Sequence, residues 1–180
     1  MADPAFWKSE WPETDFSKTT LESWSDVMSG GPGKDGIPAL SNPAMLPVAK
    51  ARLPEREPVL TVALDGAPAR AYPLRYMTWH EIVNDRIGGR PVAVTFCPLC
   101  NSAIAFDPRV GGRVLTFGVT GKLRHSDMVM YDRETQSWWQ QALGTAIVGE
   151  LTGTKLQALP SWMESFAQFR AAHPGGLVMA

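Results

Sequence analysis

Short apolar runs separated by turn-forming residues dominate the chain from residue 37 onward. Runs at 59–64 and 67–73 flank an Asp-Gly pair, a two-residue signal typical of a β-hairpin because glycine tolerates positive φ. The run at 91–96 has the composition of a buried strand and leads directly into a turn that contains both cysteines. Further strands are predicted at 102–106, 113–119, 128–131 and 145–148, and residues 137–140 form either another strand or a bulged edge. The strands at 102–106 and 113–119 are expected to form a hairpin through residues 107–112, with two glycines at its tip.

Two segments carry the start signals of helices. Thr78 and Glu81 fit a capping box, which would place His80 at the second helical position. Ser161 and Glu164 fit the same box, and large apolar residues then recur at helical spacing. The pattern therefore predicts a mainly β (α+β) fold, in which an antiparallel β-sheet or barrel-like core is accompanied by two short helices.

Residues 1–36 are polar and irregular, and a run rich in glycine and proline ends this segment. Large aromatic residues are nevertheless spaced along it, at Trp7, Trp11, Phe16 and Trp24. Since each of these side chains can bury a large apolar area, we interpret residues 1–36 as an irregular N-terminal arm pinned to the body. Residues 37–180 are then interpreted as a single β-rich domain.

Composition limits the function without supplying one. The 180 residues are 44% apolar and 19% charged, so the chain can build a core and is not a disordered tail. A net charge of −1 predicts no nucleic-acid partner, and no apolar window is long enough to span a bilayer. The N-terminal peptide lacks the features of an export signal, which predicts a cytoplasmic location unless this terminus is a trimmed one. The oligomeric state is left open by the sequence.

The two cysteines, Cys97 and Cys100, lie in one Cys-Pro-Leu-Cys tetrapeptide. A pair this close cannot link distant parts of a fold, whereas both sulfurs of such a turn can face one point. That geometry suits Zn²⁺ or a soft copper ion, and it equally suits disulfide exchange in which Cys97 attacks and Cys100 resolves. A third interpretation is that both thiols simply pack, because free cysteine is among the most buried residue types.

A metal site here needs further ligands, and two of the three histidines are candidates. His80 is predicted near a helix N-terminus, where the helix dipole disfavours imidazolium and favours a neutral ligand nitrogen. His125 is predicted where a loop meets a strand, a position at which ligands are often presented. Either ring can instead be satisfied structurally. Methionine thioethers near thiolates favour copper over zinc, although methionine in a β-rich core more often packs; the relevant residues are Met77, Met128 and Met130.

Other charged residues are interpreted as structural. A group of them is typical of a solvated turn with local ion pairs, and it comprises Asp127, Asp132, Arg133 and Glu134. Glu81 is interpreted as a capping residue rather than a base. The sequence contains neither a glycine-rich phosphate loop after a strand nor a Gly-x-Ser-x-Gly nucleophile motif.

Two sequence blocks are specific enough to suggest a relationship. They are Trp-His-Glu-Ile-Val-Asn-Asp at 79–85 and Val-Thr-Phe-Cys-Pro-Leu-Cys-Asn-Ser at 94–102. With further blocks between residues 34 and 150, the chain resembles a bacterial domain-of-unknown-function family, the one numbered 3179, over about residues 11–174. The family is uncharacterised. The resemblance implies only that His80, Cys97 and Cys100 belong to its signature blocks.

The preferred hypothesis is a transition-metal site formed by His80, Cys97 and Cys100, with His125, a methionine or water completing the coordination. Copper is favoured over zinc, and the protein would be an oxidoreductase that acts on a small molecule, with His80, Cys97 and Cys100 as its catalytic residues. The first alternative is a metal-free thiol–disulfide protein that uses the same cysteines. The second is a non-enzymatic module that binds an apolar ligand, so whether the chain is an enzyme stays open.

Overall fold

Strands make up 42% and helices 14% of the computed structural model, which describes residues 4–180. The prediction of a mainly β fold is therefore confirmed. The first three residues of the predicted arm lie outside the described residues. Within the described range the α-helices number three rather than two, and all are short: α1 (Ala5–Lys8), α2 (Leu74–His80) and α3 (Phe166–Ala172).

The strands are short and follow one another closely along the chain. In chain order they are β1 (Val27–Ser29), β2 (Leu40–Ser41), β3 (Met45–Pro47), β4 (Pro58–Val62), β5 (Arg70–Pro73), β6 (Ile82–Ile87), β7 (Arg90–Cys97), β8 (Ser102–Asp107), β9 (Arg109–Val110), β10 (Arg113–Val114), β11 (Phe117–Arg124), β12 (Asp127–Asp132), β13 (Trp138–Gln140), β14 (Thr145–Val148), β15 (Gln157–Leu159), β16 (Ser161–Ser165) and β17 (Leu177–Met179).

Fifteen of these strands form three five-stranded sheets, and β9 pairs with β10 as a separate ribbon. The first sheet has the order β1-β11-β12-β13-β14 and is antiparallel. The second sheet has the order β15-β8-β7-β6-β2, and the third has the order β16-β4-β5-β17-β3. These two are mixed, because β2 joins β6 and β17 joins β5 in parallel. All the sheets are open, so the sheet alternative describes the core and the barrel-like one does not.

Local turn chemistry predicted the hairpin at Asp65 and Gly66 correctly. Strands β4 and β5 pair across Asp65 and Gly66, and Gly66 has a φ of +80°. The hairpin expected between 102–106 and 113–119 does not form, because β8 pairs with β7 and β15. The turn at Gly111 and Gly112, which both have positive φ, joins β9 to β10 instead. The predicted strand at 113–119 is divided between β10 and β11, because the ladder of β10 ends at Val114 and that of β11 begins at Phe117.

The helix near His80 differs from the prediction. Helix α2 begins after Pro73, whose ring presets φ for a helix start, so Thr78 lies inside the helix and is not its N-cap. The Thr78 hydroxyl donates to the carbonyl four residues earlier, at 2.8 Å. His80 is consequently the last helical residue, at the end where the dipole favours a cation. The capping-box roles predicted for Thr78 and Glu81 are wrong.

The second predicted helix start is also displaced. Residues Ser161–Ser165 form strand β16, which pairs with β4, and Trp162 is 41% exposed on that strand. The capping box is made instead by Ser165 and Gln168, at the start of α3. Residues 161–164, which were expected to begin a helix, are therefore part of the strand that pairs with β4.

The two faces of the first sheet bury different partners. One face packs against the second sheet, and Cys97 lies in that layer with Phe117, Val119 and Met128. The other face packs against the N-terminal arm, whose Trp11 is fully buried and lies 5.3 Å from Trp138 between ring centroids. These contacts agree with a pinned arm, and the division at residue 36 stays an interpretation. No helix within the described range has the length and apolar character needed to cross a membrane.

Candidate functional site

The first part of the site is the turn between β7 and β8. Cys97 ends β7 and pairs in register with Ser102, the first residue of β8, so residues 98–101 form a four-residue connection. Asn101 closes the turn in the left-handed region with a φ of +50°, a conformation that asparagine tolerates better than most side chains. Cys97 is buried with a relative exposure of 1%, and Cys100 is exposed.

The second part of the site is the turn between β11 and β12. His125 and Ser126 have φ values of +52° and +64°, the pattern of a two-residue hairpin turn, and Asp127 then begins β12. This turn meets the cysteine turn, because the Cys97 thiol lies 3.9 Å from the carbonyl oxygen of Ser126. His125 therefore lies within the hairpin turn that precedes β12.

The two turns together create a cluster of metal-ligand atoms. The sulfurs of Cys97 and Cys100 and a carboxylate oxygen of Asp127 all lie within 4.8 Å of one another. Asp127 is 5% exposed, and its Oδ2 accepts a hydrogen bond from the backbone N–H of Ala142 at 2.9 Å. That bond holds the carboxylate in place while Oδ1 faces the sulfur of Cys100 at 3.5 Å.

The Cys100 thiol keeps its proton in this environment. Cys100 is exposed as a residue, but its thiol makes a partly buried hydrogen bond to Asp127. Burial of the thiol is the main factor that raises its pKa to about 12. Interactions with the neighbouring Cys97 and with the Asp127 carboxylate raise the pKa further. The thiol therefore donates to Asp127, and a metal cation would replace the proton at this position.

His80 and His125 do not belong to the cluster of Cys97, Cys100 and Asp127. The Nδ1 atom of His80 lies 2.7 Å from the carbonyl oxygen of Pro38. Because a carbonyl only accepts hydrogen bonds, Nδ1 carries the proton, and Nε2 has the free lone pair when the ring is neutral. Metal binding by the two histidines stays a prediction.

A cavity of about 110 Å³ adjoins the cluster, and Cys97 belongs to both. Its walls come from the cysteine turn, from β11 and β12, from the N-terminal arm and from the residue after helix α2. The lining residues include Gly30, Pro32, Glu81, Leu99, Val119 and Met128. A larger open groove of about 990 Å³ is formed within the arm between residues 8 and 24. That groove shares no lining residue with the cavity at Cys97.

Glu81 supplies a carboxyl group to the cavity wall. Burial raises its pKa to about 7, and no group in residues 4–180 donates a hydrogen bond to its carboxylate. Its backbone has a φ of +59°, an uncommon conformation for a side chain of this size. Two backbone hydrogen bonds hold this geometry. The N–H of Glu81 donates to the carbonyl of Met77 at 2.7 Å, and the carbonyl of Glu81 accepts from the N–H of Phe96 at 2.8 Å. Glu81 is thus able to take up or release a proton near neutral pH.

Sequence reasoning missed Asp127 and Glu81 as site residues. The predicted solvated turn at 127–134 is wrong for Asp127 and Asp132, which are both buried. The sequence carried a signal for the burial of Asp127. Asp127 shares one face of a strand with Val129 and Tyr131, and the other residues of this strand are also buried. No local signal pointed to Glu81, because its position depends on where helix α2 ends.

The comparisons with known proteins point to one family and to nothing more specific. Neither a search of curated proteins nor a search of solved structures gives a match. The family model described as "Protein of unknown function (DUF3179)" matches residues 34–180, which include His80, both cysteines and Asp127. Most of the N-terminal arm lies outside the matched segment. Because the match covers most of the chain, the protein belongs to the DUF3179 family of proteins of unknown function.

Proposed function

We propose that the protein binds a transition-metal ion through Cys97, Cys100 and Asp127, and that the ion acts on a small molecule in the adjoining cavity. The observation that supports this is the convergence of three ligand atoms within 4.8 Å from two separate turns. Metal–sulfur bonds of about 2.3 Å keep two thiolate ligands within about 4.6 Å of each other. The spacing of the three atoms is close to what one ion requires.

The number of ligands favours chemistry over a purely structural role. Three protein ligands leave one position of a tetrahedral ion open for water or substrate, as in catalytic zinc sites. Because Cys97 both belongs to the cluster and lines the cavity, a molecule in the cavity lies next to the ion. Glu81 on the cavity wall would then serve as the nearby proton acceptor or donor.

Zinc fits the cluster better than copper does. Zn²⁺ accepts thiolate and carboxylate ligands together, whereas soft Cu(I) prefers sulfur throughout. Copper stays the second candidate, because Met128 brings a thioether to the cavity beside Cys97. An oxidoreductase activity would follow from copper, while zinc would supply Lewis-acid chemistry.

Metal content of untagged protein tests the proposal. Purified protein is expected to hold about one equivalent of zinc by plasma mass spectrometry. Asp127→Asn, which removes the ligand charge and keeps the shape, should weaken zinc binding at least tenfold. Asp107→Asn is the matched control, because Asp107 is also buried and accepts a backbone N–H but lies outside the cluster. Equal zinc affinity in both variants, or none in the parent, would overturn the proposal.

The metal-free thiol–disulfide alternative is supported by the closeness of the two sulfurs. Cys97 is buried and Cys100 exposed, so the order of attack would be the reverse of the one predicted. The raised pKa of Cys100 argues against this chemistry, because the thiolate is the attacking species. Reversible disulfide formation in a glutathione titration, in protein that takes up no metal, would support it. The apolar-ligand module likewise stays a prediction, with the cavity as its only support.

A further inference from the structure

The roof of the cavity at Cys97 is made by residues 29–37, which we call the strap. Gly30, Pro32 and Ile37 of the strap line the cavity together with Cys97. Most of the strap precedes residue 34 and so lies outside the segment that the family model matches. A part of the chain beyond the matched segment therefore contributes to the candidate site.

The strap continues from the end of β1, which is paired with β11, and two further backbone hydrogen bonds attach it to β11. The N–H of Gly30 donates to the carbonyl of Gly121 at 2.7 Å, and the N–H of Asp35 donates to the carbonyl of Val119 at 2.9 Å. Between these points the strap approaches β11 so closely that a Cβ atom on Gly121 would lie 2.0 Å from the carbonyl oxygen of Pro32. The strap can take this position only because residue 121 is glycine.

A second set of contacts fastens the strap through the arm. Glu10 accepts the N–H of Lys34 at 2.6 Å through Oε1, and its Oε2 lies 3.5 Å from the Nζ of Lys122. Lys122 also lines the cavity wall and lies over the rings of the arm and of β13, 5.5 Å from Trp7 and 5.6 Å from Trp138. Glu10 thus contacts Lys34 in the strap and Lys122 in the cavity wall.

The strap itself has a backbone suited to movement between its attachments. It contains glycine at positions 30, 31, 33 and 36, and its middle residues are exposed. Gly31 has a φ of +111° and no heavy atom within 4 Å of an added Cβ. Four glycines in seven residues give the backbone of this segment access to more conformations than other residues would allow.

We propose that the strap is a gate that controls the entry of small molecules to Cys97. Closed, it shields the thiol, which is 1% exposed; open, it exposes the cavity and Cys97 to solvent. Its role as a gate for a metal-bound substrate rests on the proposed function, whereas the shielding of the thiol does not.

Alkylation of Cys97 tests the gate in full-length, metal-free protein that carries Cys100→Ser. Rates are measured with iodoacetamide and with the bulkier N-ethylmaleimide. Gly121→Ala, which forces the strap away from β11, should raise the N-ethylmaleimide rate about tenfold and the iodoacetamide rate less. Gly153→Ala is the control, because Gly153 has a similar φ of +88° but open space around it. It should leave both rates unchanged.

A second pair of variants keeps the test decisive if Gly121→Ala fails to fold. Glu10→Ala removes the contacts to Lys34 and Lys122 and should raise the rate severalfold. Glu13→Ala, at an exposed position of the same arm, should not. Rates that are independent of dilute urea identify local opening of the strap rather than global unfolding. Equal rates in Glu10→Ala and Glu13→Ala, or rates that follow global unfolding, would overturn the gate.

Metal exchange separates this inference from the proposed function. In protein with Cys100 intact, Glu10→Ala should speed the removal of zinc by a chelator severalfold while the stoichiometry stays the same. If no zinc binds, the proposed function fails and the alkylation result still decides the gate. If zinc binds and the alkylation rates do not change, the gate fails alone.

Discussion

The two ends of strand β12 carry buried aspartates in opposite surroundings. Asp132 is fully buried and accepts three hydrogen bonds, from the backbone N–H of Thr135 at 2.6 Å, the Thr135 hydroxyl at 3.0 Å and the Trp139 indole at 2.8 Å. Asp127 is almost as buried, but its partners are one backbone N–H and the weak thiol donor of Cys100. A carboxylate with unused acceptor capacity beside two sulfurs has room for a cation, whereas a saturated one supports the fold.

Burial alone therefore does not distinguish a functional carboxylate from a structural one. Burial raises the pKa of Asp132, and the hydrogen bonds from Trp139 and Thr135 offset only part of that rise. Glu81 has no such donors within the part of the chain that the structure describes, and its pKa stays raised. The number of hydrogen-bond donors around the carboxylate is the property that separates Asp132 from both Asp127 and Glu81.

The largest effect is expected from removing the saturated aspartate. Asp132→Ala leaves the indole N–H of Trp139 and the N–H of Thr135 buried without a partner, which should cost roughly 3–5 kcal/mol of unfolding free energy. Asp127→Ala in metal-free protein loses one backbone acceptor and should cost only about 1 kcal/mol. Urea unfolding monitored by tryptophan fluorescence measures both. Equal losses would show that the two ends of β12 do not differ.

Zinc should distinguish Asp127 from a buried aspartate outside the cluster. Zinc at a hundredfold excess over its dissociation constant should stabilise the parent by about 2.7 kcal/mol, because the ion binds the folded chain. Asp127→Asn should lose most of this stabilisation, and Asp107→Asn should keep it. Thermal unfolding with and without zinc gives the comparison. A zinc-dependent shift of the same size in all three proteins would place the ion elsewhere.

A smaller effect concerns the pH dependence of stability. Because the folded-state pKa of Glu81 is raised from 4.5 to about 7, its contribution is fully present below pH 4.5 and is lost as the pH rises through 7. After a discount for partial exposure, the loss should be roughly 1–2 kcal/mol. Glu81→Gln should remove this slope in metal-free protein. An unchanged slope between pH 4.5 and 7 would show that Glu81 is ionised without penalty.

The smallest effect is expected at the hairpin turn next to Asp127. His125→Asn should change stability by less than about 0.5 kcal/mol, because asparagine tolerates the left-handed backbone there. Zinc affinity should change less than twofold, since the imidazole is not part of the cluster. Isothermal titration with zinc measures this. A tenfold loss would instead confirm the sequence prediction that His125 is a ligand.

Sequence predictions were accurate where the interacting residues are close together along the chain and inaccurate where they are far apart. The hairpin closed by Asp65 and Gly66 and the Cys-Pro-Leu-Cys turn were predicted correctly, because their geometry depends on a few adjacent residues. The helix starts at Thr78 and Ser161 were wrong, because the start after Pro73 and the ladder between β16 and β4 outweighed a local capping signal. The solvated turn predicted at Asp127 was wrong for a related reason, since Asp127 is buried where β12 pairs with β11.

The sequence by itself determined the family, the mainly β character and the closeness of Cys97 to Cys100. All three depend on patterns that neighbouring residues carry. Only the tertiary structure decided that Asp127 faces Cys100 across 27 positions of the chain, that Glu81 lines the cavity at Cys97, and that the N-terminal strap covers it. These contacts depend on strand register and on the packing of one sheet against another, and no local pattern of residues specifies either.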